Sequence, residues 1–341
     1  MADIDIRIEG RAGRITLNRP AALNALSYAM ILEIEAALND WRDDDQVALV
    51  LVDATGDKAF CAGGDIQEMY DTATRGDYEY GRRFWSDEYR VNAAIAEYPK
   101  PYVALMQGFV MGGGVGVSCH GSHRIVCETS QIAMPECGIG LVPDVGGSWL
   151  LARAPGHLGE YLALTADRMG PGDAIYAGFA DSYVEQSDWV ALVSDLEMTG
   201  DVTLIRDYIE PPPPSPLAAR QDEIDRWFAS GDLATILRAL NEAEGDFAER
   251  TLKAISRNSP LSMSVALANL KKLRVEGGIH QALLLEYRFT ARAAEHGDFL
   301  EGIRAAIIDK DRKPKWRHPL DHVDGEDVAR MLMPLPDETQ T

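Results

Sequence analysis

The sequence predicts an α/β fold with a mainly helical carboxyl-terminal region. Over the first half of the chain, short apolar segments such as VALVLVDA at 47–54 alternate with helical stretches, which is typical of layered α/β cores. From about residue 158 onward helical periodicity dominates. The segment EPPPPSPLA at 210–218 cannot form the interior of a helix and predicts an extended connector. We therefore divide the 341 residues into a core over 1–200 and a helical extension over 201–341.

The amino-terminal elements follow from the periodicity of their side chains. MADIDIRIEG alternates isoleucine with charged residues, which predicts a half-buried strand and not a secretory signal peptide. GRAGRITLN adds a glycine-bearing turn and a second alternating run, so the two segments are expected to form a hairpin. SYAMILEIEAALNDW has apolar residues at helical spacing, with Ser27 as a candidate cap. VALVLVDA after it has the composition of a strand buried on both faces.

The same alternation continues through the middle of the chain. A helical stretch covers about 77–97, and the strand YVALMQG, the glycine-rich turn MGGGVGVS and the short strand HRIV follow it. Between 221 and 308, segments such as LATILRALNEA and GGIHQALLLEYRFTARAAEHG have helical spacing. The sequence therefore predicts strands in the first half and several helices in the second.

Composition and charge argue against several classes of partner. The 54 acidic and 33 basic residues give a formal net charge of −21, which disfavours nucleic acid or an anionic membrane surface. No apolar run reaches the length of about 18 residues expected of a membrane-spanning helix. The four cysteines show no CxxC pairing, which is typical of a reducing compartment. We therefore expect a cytoplasmic protein.

Two glycine-rich turns, each directly after an apolar strand, are the first candidates for chemistry. AFCAGGDI places Ala62, Gly64 and Asp65 at a strand end, where Ala62 and Asp65 are candidate substrate contacts, and GFVMGGGVGV opens a helix near Gly113. Because glycine lets backbone N–H groups approach a ligand, the two turns together predict a two-amide oxyanion hole. The alternative is a pair of tight turns that only require positive φ. Neither turn matches the GxGxxG dinucleotide pattern, and GVSCHG lacks the final glycine of the GxSxG nucleophile elbow.

Five segments in chain order resemble the crotonase (enoyl-CoA hydratase/isomerase) superfamily. They are AFCAGGDI, KPYVALMQGFVMGGGVGVSCHGSHRIV, AMPECGIGLVPDVGGSWLLARAPG, LALTADRM and LLEYRFTARAAEHGDFLEGIRAAIIDKDRKPKW. The combination of MPE, PDVGG and IDKDRKPKW is similar to a thioester-hydrolase branch of the superfamily. The resemblance runs from the amino-terminal hairpin to about Trp316 and is weakest over 187–246. It implies a crotonase-like spiral of ββα units that binds acyl-CoA.

The resemblance also implies which residues act on the substrate. The amides of Gly64 and Gly113 would hold the thioester oxygen, and Glu136 and Asp144 would act at the thioester. Hydratases of the superfamily resemble one another in having a second glutamate just after the second glycine turn, and that position is Gly116 here. Since glycine neither takes nor gives a proton, hydration by a glutamate pair is not expected. The alternative is that Glu136 and Asp144 only cap turns beside the neighbouring prolines.

Three further residues are candidate substrate contacts. The resemblance implies that Glu88, in SDEYRV, contacts the substrate; the alternative is a solvated charge on a helix face. Lys310 and Lys313 belong to DKDRKPKWR, the densest basic cluster of an acidic chain. They are expected to contact CoA phosphates, unless the segment is a solvated charged tail. Coenzyme A is part of the substrate, so neither a separate cofactor nor a metal is expected.

Together, the residues and the resemblance predict hydrolysis of a short-chain 3-hydroxyacyl-CoA thioester in valine breakdown. One rival is a hydratase or isomerase of the same fold, because one carboxylate and an oxyanion hole suffice for enolate chemistry. A second rival is a catalytically silent scaffold or an RNA-binding member, against which stand the charge of −21 and the presence of Glu136 and Asp144. The expected partner is an acyl-CoA substrate, not nucleic acid or a membrane. Assembly into a homo-oligomer is compatible with the sequence.

Overall fold

The computed structural model describes residues 2–336 and residue 338. By their contacts these residues form two compact units, each assembled from three segments of the chain. Unit 1 contains the residues up to Asp65, Asp87–Ala133 and Arg168–Ala219, and unit 2 contains Ile66–Ser86, Met134–Asp167 and the residues from Arg220 on. The division of roles between an acyl-CoA-binding core at 1–200 and a completing extension at 201–341 stays a prediction.

Unit 1 contains two β-sheets. The strands are β1 (Ile4–Glu9), β2 (Ala12–Leu17), β3 (Leu49–Ala54), β4 (Ala59–Cys61), β5 (Tyr102–Met106), β6 (Phe109–Met111), β7 (His123–Val126), β8 (Gln131–Ala133) and β9 (Ser182–Tyr183). A six-stranded sheet has the order β1-β2-β3-β5-β7-β9, and a three-stranded sheet has the order β4-β6-β8. The predicted hairpin is confirmed, since β1 and β2 pair antiparallel with Ile4 opposite Leu17. The other strand pairs are parallel.

Successive strands alternate between the two sheets of unit 1. Strands β3, β5 and β7 lie in the larger sheet, and β4, β6 and β8 lie in the smaller one. Because the strands of each series are parallel, the chain must cross over between successive members, and helices lie in these connections. This repetition of two strands and a crossover confirms the predicted α/β class. It also places one glycine-rich turn after β4 and the other after β6.

The helices of the described residues give the chain most of its regular structure. They are α1 (Tyr28–Trp41), α2 (Gln67–Ala73), α3 (Glu79–Ala96), α4 (Gly113–Ser118), α5 (Gly147–Arg153), α6 (Leu158–Thr165), α7 (Pro171–Tyr176), α8 (Trp189–Thr199), α9 (Gln221–Phe228), α10 (Leu233–Glu242), α11 (Asp246–Ile255), α12 (Pro260–Leu273), α13 (Ile279–His296), α14 (Phe299–Ile303) and α15 (Gly325–Leu332). None of them is long and apolar enough to span a membrane. Ser27 caps α1 as predicted, because its hydroxyl accepts a hydrogen bond of 3.3 Å from the Met30 N–H.

The core of unit 2 is aromatic as well as aliphatic. The ring of Tyr161 on α6 lies 5.7 Å from the rings of both Phe228 and Phe247. Trp227 packs against the same Phe247 ring at 5.4 Å. Aromatic pairs at these distances add to the free energy gained by burying their apolar area. This cluster packs α6 against α9 and α11, which a long stretch of the sequence separates from α6.

Candidate active site

The first glycine-rich turn of unit 1 pairs with the segment before α1. The Leu26 N–H donates to the Gly63 carbonyl at 2.9 Å, and the Asp65 N–H donates to the Leu26 carbonyl at 2.8 Å. The Gly64 N–H takes no part in this parallel bridge. Gly63 has a φ of +116°, a conformation that side chains rarely adopt, so the turn requires glycine at that position.

Ala62 and Asp65 support the first turn through their own contacts. The Ala62 N–H donates to the Leu23 carbonyl at 3.0 Å. The Asp65 carboxylate accepts a hydrogen bond of 3.0 Å from the Arg19 guanidinium. Both residues therefore hold the loop that carries Gly64, and their predicted contact with substrate stays a prediction.

The second glycine-rich turn of unit 1 packs directly on the first. A Cβ atom added to Gly114 would lie 2.5 Å from the Cys61 carbonyl oxygen, and one added to Gly113 would lie 3.3 Å from the Gly64 nitrogen. The Gly113 N–H lies in the first turn of α4, where N–H groups have no acceptor within the helix. The structure thus brings the two predicted donors, Gly64 and Gly113, to one place in unit 1.

Glu88 lies beside these two glycines. It is only 3% exposed, and its Oε1 atom would lie 2.8 Å from a Cβ atom added to Gly113. The interpretation of Glu88 as a solvated charge on a helix face is therefore wrong, because α3 turns this side chain into the interior. Burial raises the pKa of the nearby Cys61 thiol to about 12, and the charge of Glu88 adds to that rise. The contact of Glu88 with substrate stays a prediction.

Glu136 and Asp144 both lie in unit 2, and each is 4% exposed. Glu136 begins a 3₁₀-helix, Glu136–Ile139, and its carbonyl accepts from the Leu141 N–H at 3.0 Å. The thiol of the adjacent Cys137 is fully buried, and burial raises its pKa well above the ordinary value. A buried thiol of this kind is not a nucleophile. The catalytic role of Glu136 and Asp144 stays a prediction.

The turn that follows Asp144 has an unusual backbone. The Gly147 N–H donates to the Asp144 carbonyl at 2.7 Å, and the two residues between them, Val145 and Gly146, have φ values of 53° and 77°. Positive φ at both central positions is the signature of a type I′ turn. Glycine adopts it freely, whereas a β-branched residue such as Val145 is strained there by about 1–3 kcal/mol. Contacts with surrounding residues must therefore stabilise the turn in this conformation.

Glu286 on α13 supplies those contacts. Its Oε2 atom accepts from the Gly146 N–H at 2.8 Å, and its Oε1 atom accepts from the Ser148 N–H at 3.1 Å and from the Ser148 hydroxyl. The side chain is fully buried. Burial raises the pKa of Glu286 to about 8 and the charge of Asp144 adds to the rise, although the donors at Gly146 and Ser148 lower it. Sequence reasoning missed this residue, and the only signal was an acid inside the apolar run QALLLEYRF.

The raised pKa of Glu286 predicts how stability depends on pH. Between the ordinary value of 4.5 and about 8, the folded chain binds this proton more tightly than the unfolded chain does, so stability falls as pH rises through that window. Glu286→Gln cannot titrate and removes this dependence. Thermal unfolding at several pH values should show that wild type loses stability relative to the variant as pH rises. A difference between the two proteins that stays constant would contradict the assignment.

Arg304 forms ion pairs with acids of the basic tail of unit 2, the segment DKDRKPKWR at 309–317. Its guanidinium contacts Asp309 at 2.6 Å, Asp311 at 2.8 Å and Glu301 at 2.8 Å. Arg304 thus forms ion pairs with both acids of the tail, and the Lys310 and Lys313 side chains are exposed. The contact of these two lysines with CoA phosphates stays a prediction.

A cavity of about 680 Å³ lies next to this tail within unit 2. Gly138, two residues after Glu136, forms part of its wall, together with Arg257, Arg312 and Trp316. The Trp316 indole N–H donates to the Arg257 carbonyl at 3.1 Å, which fixes the tail against the connection between α11 and α12. The cavity therefore connects the segment that carries Glu136 with cationic and aromatic side chains.

The alternating strands, the paired glycine turns and the buried carboxylates define an α/β enzyme of the crotonase fold. The chain belongs to the enoyl-CoA hydratase/isomerase family, whose model matches residues 12–332.

Several named proteins align with almost the whole length of this chain. The 3-hydroxyisobutyryl-CoA hydrolase of Gallus gallus is 37% identical over 98% of this chain and 89% of its own length. That of Xenopus tropicalis is 41% identical over 91% and 83%. Among solved structures, an enoyl-CoA hydratase from Rhodobacter sphaeroides is 56% identical with a TM-score of 0.96, covering 99% of each chain. A carnitinyl-CoA dehydratase from Mycobacterium thermoresistibile is 39% identical with a TM-score of 0.93, covering 98% and 97%.

The expectation of a cytoplasmic location is wrong. The hydrolases of Gallus gallus and Xenopus tropicalis are both mitochondrial proteins by name. The reason for the error is that reduced cysteines indicate the redox state of a compartment and not its identity. The four free, buried thiols therefore carry no information about which reducing compartment holds the protein.

Proposed function

We propose that this chain hydrolyses the thioester of a short-chain 3-hydroxyacyl-CoA, in particular 3-hydroxyisobutyryl-CoA. Water is consumed, the C–S bond breaks, and 3-hydroxyisobutyrate and free CoA leave, as a step of valine breakdown. The observation that carries the proposal is the residue set: Glu136 and Asp144 are both buried in unit 2, while the position that holds a second acid in hydratases is Gly116. The names of the Gallus gallus and Xenopus tropicalis relatives support the same reaction.

The glycines of unit 1 have the role of polarising the thioester carbonyl. The Gly64 and Gly113 N–H groups would donate to the carbonyl oxygen as it gains negative charge in the tetrahedral intermediate. Preorganised backbone donors of this kind stabilise a transition state by about 3 kcal/mol each. The close approach of the two turns, with the Gly113 Cβ position 3.3 Å from the Gly64 nitrogen, supports this role.

Glu136 has the role of attacking group or of base. As a nucleophile it would add to the carbonyl carbon and expel the CoA thiolate, leaving a mixed anhydride that water then opens. As a general base it would take a proton from the water that attacks the carbonyl. In either route Asp144 would orient the substrate 3-hydroxyl or the water, or help to move protons. Coenzyme A enters as part of the substrate, so this mechanism needs no separate cofactor or metal.

Hydration of an enoyl-CoA is the second candidate function. The similar Rhodobacter sphaeroides protein is described as an enoyl-CoA hydratase, and Glu88 places a carboxylate against Gly113 although Gly116 has none. Glu88 could therefore supply the acid that Gly116 lacks.

A panel of substrates separates the two functions. Free thiol is measured with 3-hydroxyisobutyryl-, 3-hydroxypropionyl-, crotonyl- and acetyl-CoA, and loss of the enoyl absorbance is measured with crotonyl-CoA. Rapid thiol release from the 3-hydroxyacyl substrates, with a slow reaction of crotonyl-CoA, is the result expected of a hydrolase. Hydration of crotonyl-CoA without thiol release would replace the proposal by the alternative. The same samples in analytical ultracentrifugation would test for a homo-oligomer.

The exposed lysines of the tail are proposed to contact the CoA phosphates. Charge reversal at Lys310 and Lys313 should raise KM severalfold with little change in kcat, because an anion loses a local attraction in a chain of net charge −21. The KM of the variant should also depend less on salt. Charge reversal at Lys271 and Lys272, both exposed on α12, is the matched control. Equal effects in the two double variants would show that the tail is only a solvated segment.

A further inference from the structure

The turn from Asp144 to Gly147 is held by a residue that lies 140 positions away in the sequence. Glu286 contacts the turn at Gly146 and again at Ser148, on either side of Gly147. The contacts are made by both carboxylate oxygens, at 2.8 Å and 3.1 Å. Two fixed points, one on either side of Gly147, leave the intervening backbone little freedom to rotate.

A carboxyl group is the side-chain group that fits these contacts. Two N–H groups and one hydroxyl converge on Glu286, and both oxygens of its carboxyl group have acceptor lone pairs for the N–H groups. When the group is protonated, its own O–H can donate to the Ser148 hydroxyl oxygen instead, so both forms satisfy the three groups. Glutamine has the same size, but one of its two terminal atoms is an NH₂ donor that would face an N–H group. Bulk solvent does not reach this fully buried side chain to replace the lost bond.

We propose that Glu286 is a positioning residue, which fixes the turn that carries Asp144 and thereby aims the Asp144 carboxylate. Val145, the residue directly after Asp144, has a φ of 53° and relaxes to a more favourable conformation when the turn is released. Such a relaxation rotates the peptide that joins it to Asp144. The effect on turnover rests on the function proposed above, whereas the fixing of the turn does not.

A double-mutant cycle tests the effect on turnover. Glu286→Gln should lower kcat at least about tenfold with a smaller change in KM, because bound substrate would meet a misdirected Asp144. In an Asp144→Asn background the same change should have almost no further effect, since the two residues act in series. Glu276→Gln, an exposed acid just before α13, is the control and should leave kcat unchanged. Independent effects that multiply in the double variant would overturn the proposal.

Hydrogen exchange tests the fixing of the turn without any substrate. The Gly146 and Ser148 amides should exchange at least about tenfold faster in Glu286→Gln than in wild type, while the amides of α12 keep their protection. If the Gln variant does not fold, Ser148→Ala is measured in its place; it removes one of the three donors and should accelerate exchange at Ser148 alone. Unchanged exchange at both amides would overturn the proposal. A wild type that releases no thiol from any acyl-CoA, but shows the expected exchange, would overturn only the proposed reaction.

Discussion

Glu136→Gln is expected to slow thioester hydrolysis by at least about a hundredfold while acyl-CoA still binds. The substitution keeps the size of a side chain that is 4% exposed and removes its negative charge. An amide can neither attack the thioester carbonyl nor take a proton from water, so both proposed routes lose their reacting group. Single-turnover thiol release gives the rate, and isothermal titration with a non-hydrolysable CoA thioether gives the binding.

Heavy-oxygen water separates the two routes available to Glu136. If a mixed anhydride forms and water opens it at the enzyme carbonyl, a single turnover leaves one labelled oxygen in Glu136. If water attacks the thioester directly, the label goes only to the product acid. The control for the slower hydrolysis by Glu136→Gln is Glu128→Gln. This variant removes one negative charge from the loop after β7 in unit 1 and so measures the effect of charge loss alone. Hydrolysis at the wild-type rate by Glu136→Gln would exclude both routes.

Gly113→Pro is expected to abolish turnover. Proline is tolerated at the first position of a helix, where Gly113 lies, but it removes the N–H group that is proposed to stabilise the oxyanion. Loss of one such donor costs about a hundredfold to a thousandfold in kcat. The ring also meets Glu88, since even a Cβ atom at this position lies 2.8 Å from Oε1.

The variant Gly113→Ala separates the loss of the amide from the steric effect. Alanine adds the same Cβ atom against Glu88 and keeps the N–H group. The kcat of Gly113→Ala should therefore lie well above that of Gly113→Pro, provided that circular dichroism shows both variants folded. Equal activity of the two folded variants would mean that the Gly113 amide contributes nothing to catalysis.

Much of the fold follows from local patterns in the sequence. Alternating isoleucines predicted β1, a continuous apolar run predicted β3, and helical spacing with a serine cap predicted α1. These patterns are local because the periods of a strand and of a helix are set by backbone geometry. The two glycine-rich turns are also local patterns. They identified Gly64 and Gly113 from the sequence without knowledge of the contact between them.

The sequence by itself therefore determined strands β1, β2, β3, β5 and β7, helices α1 and α3, the glycine turns and the acids of the segment from Glu136 to Asp144, but not the short strands β8 and β9. Only the tertiary structure decided which sheet each strand joins, because pairing depends on partners distant in the chain. It alone showed that Glu88 is buried against Gly113, since one face of α3 is covered by neighbours that no local period reveals. The support of Gly146 and Ser148 by Glu286 was hidden for the same reason: hydrogen bonds that span 138 to 140 residues leave no periodic trace in the sequence.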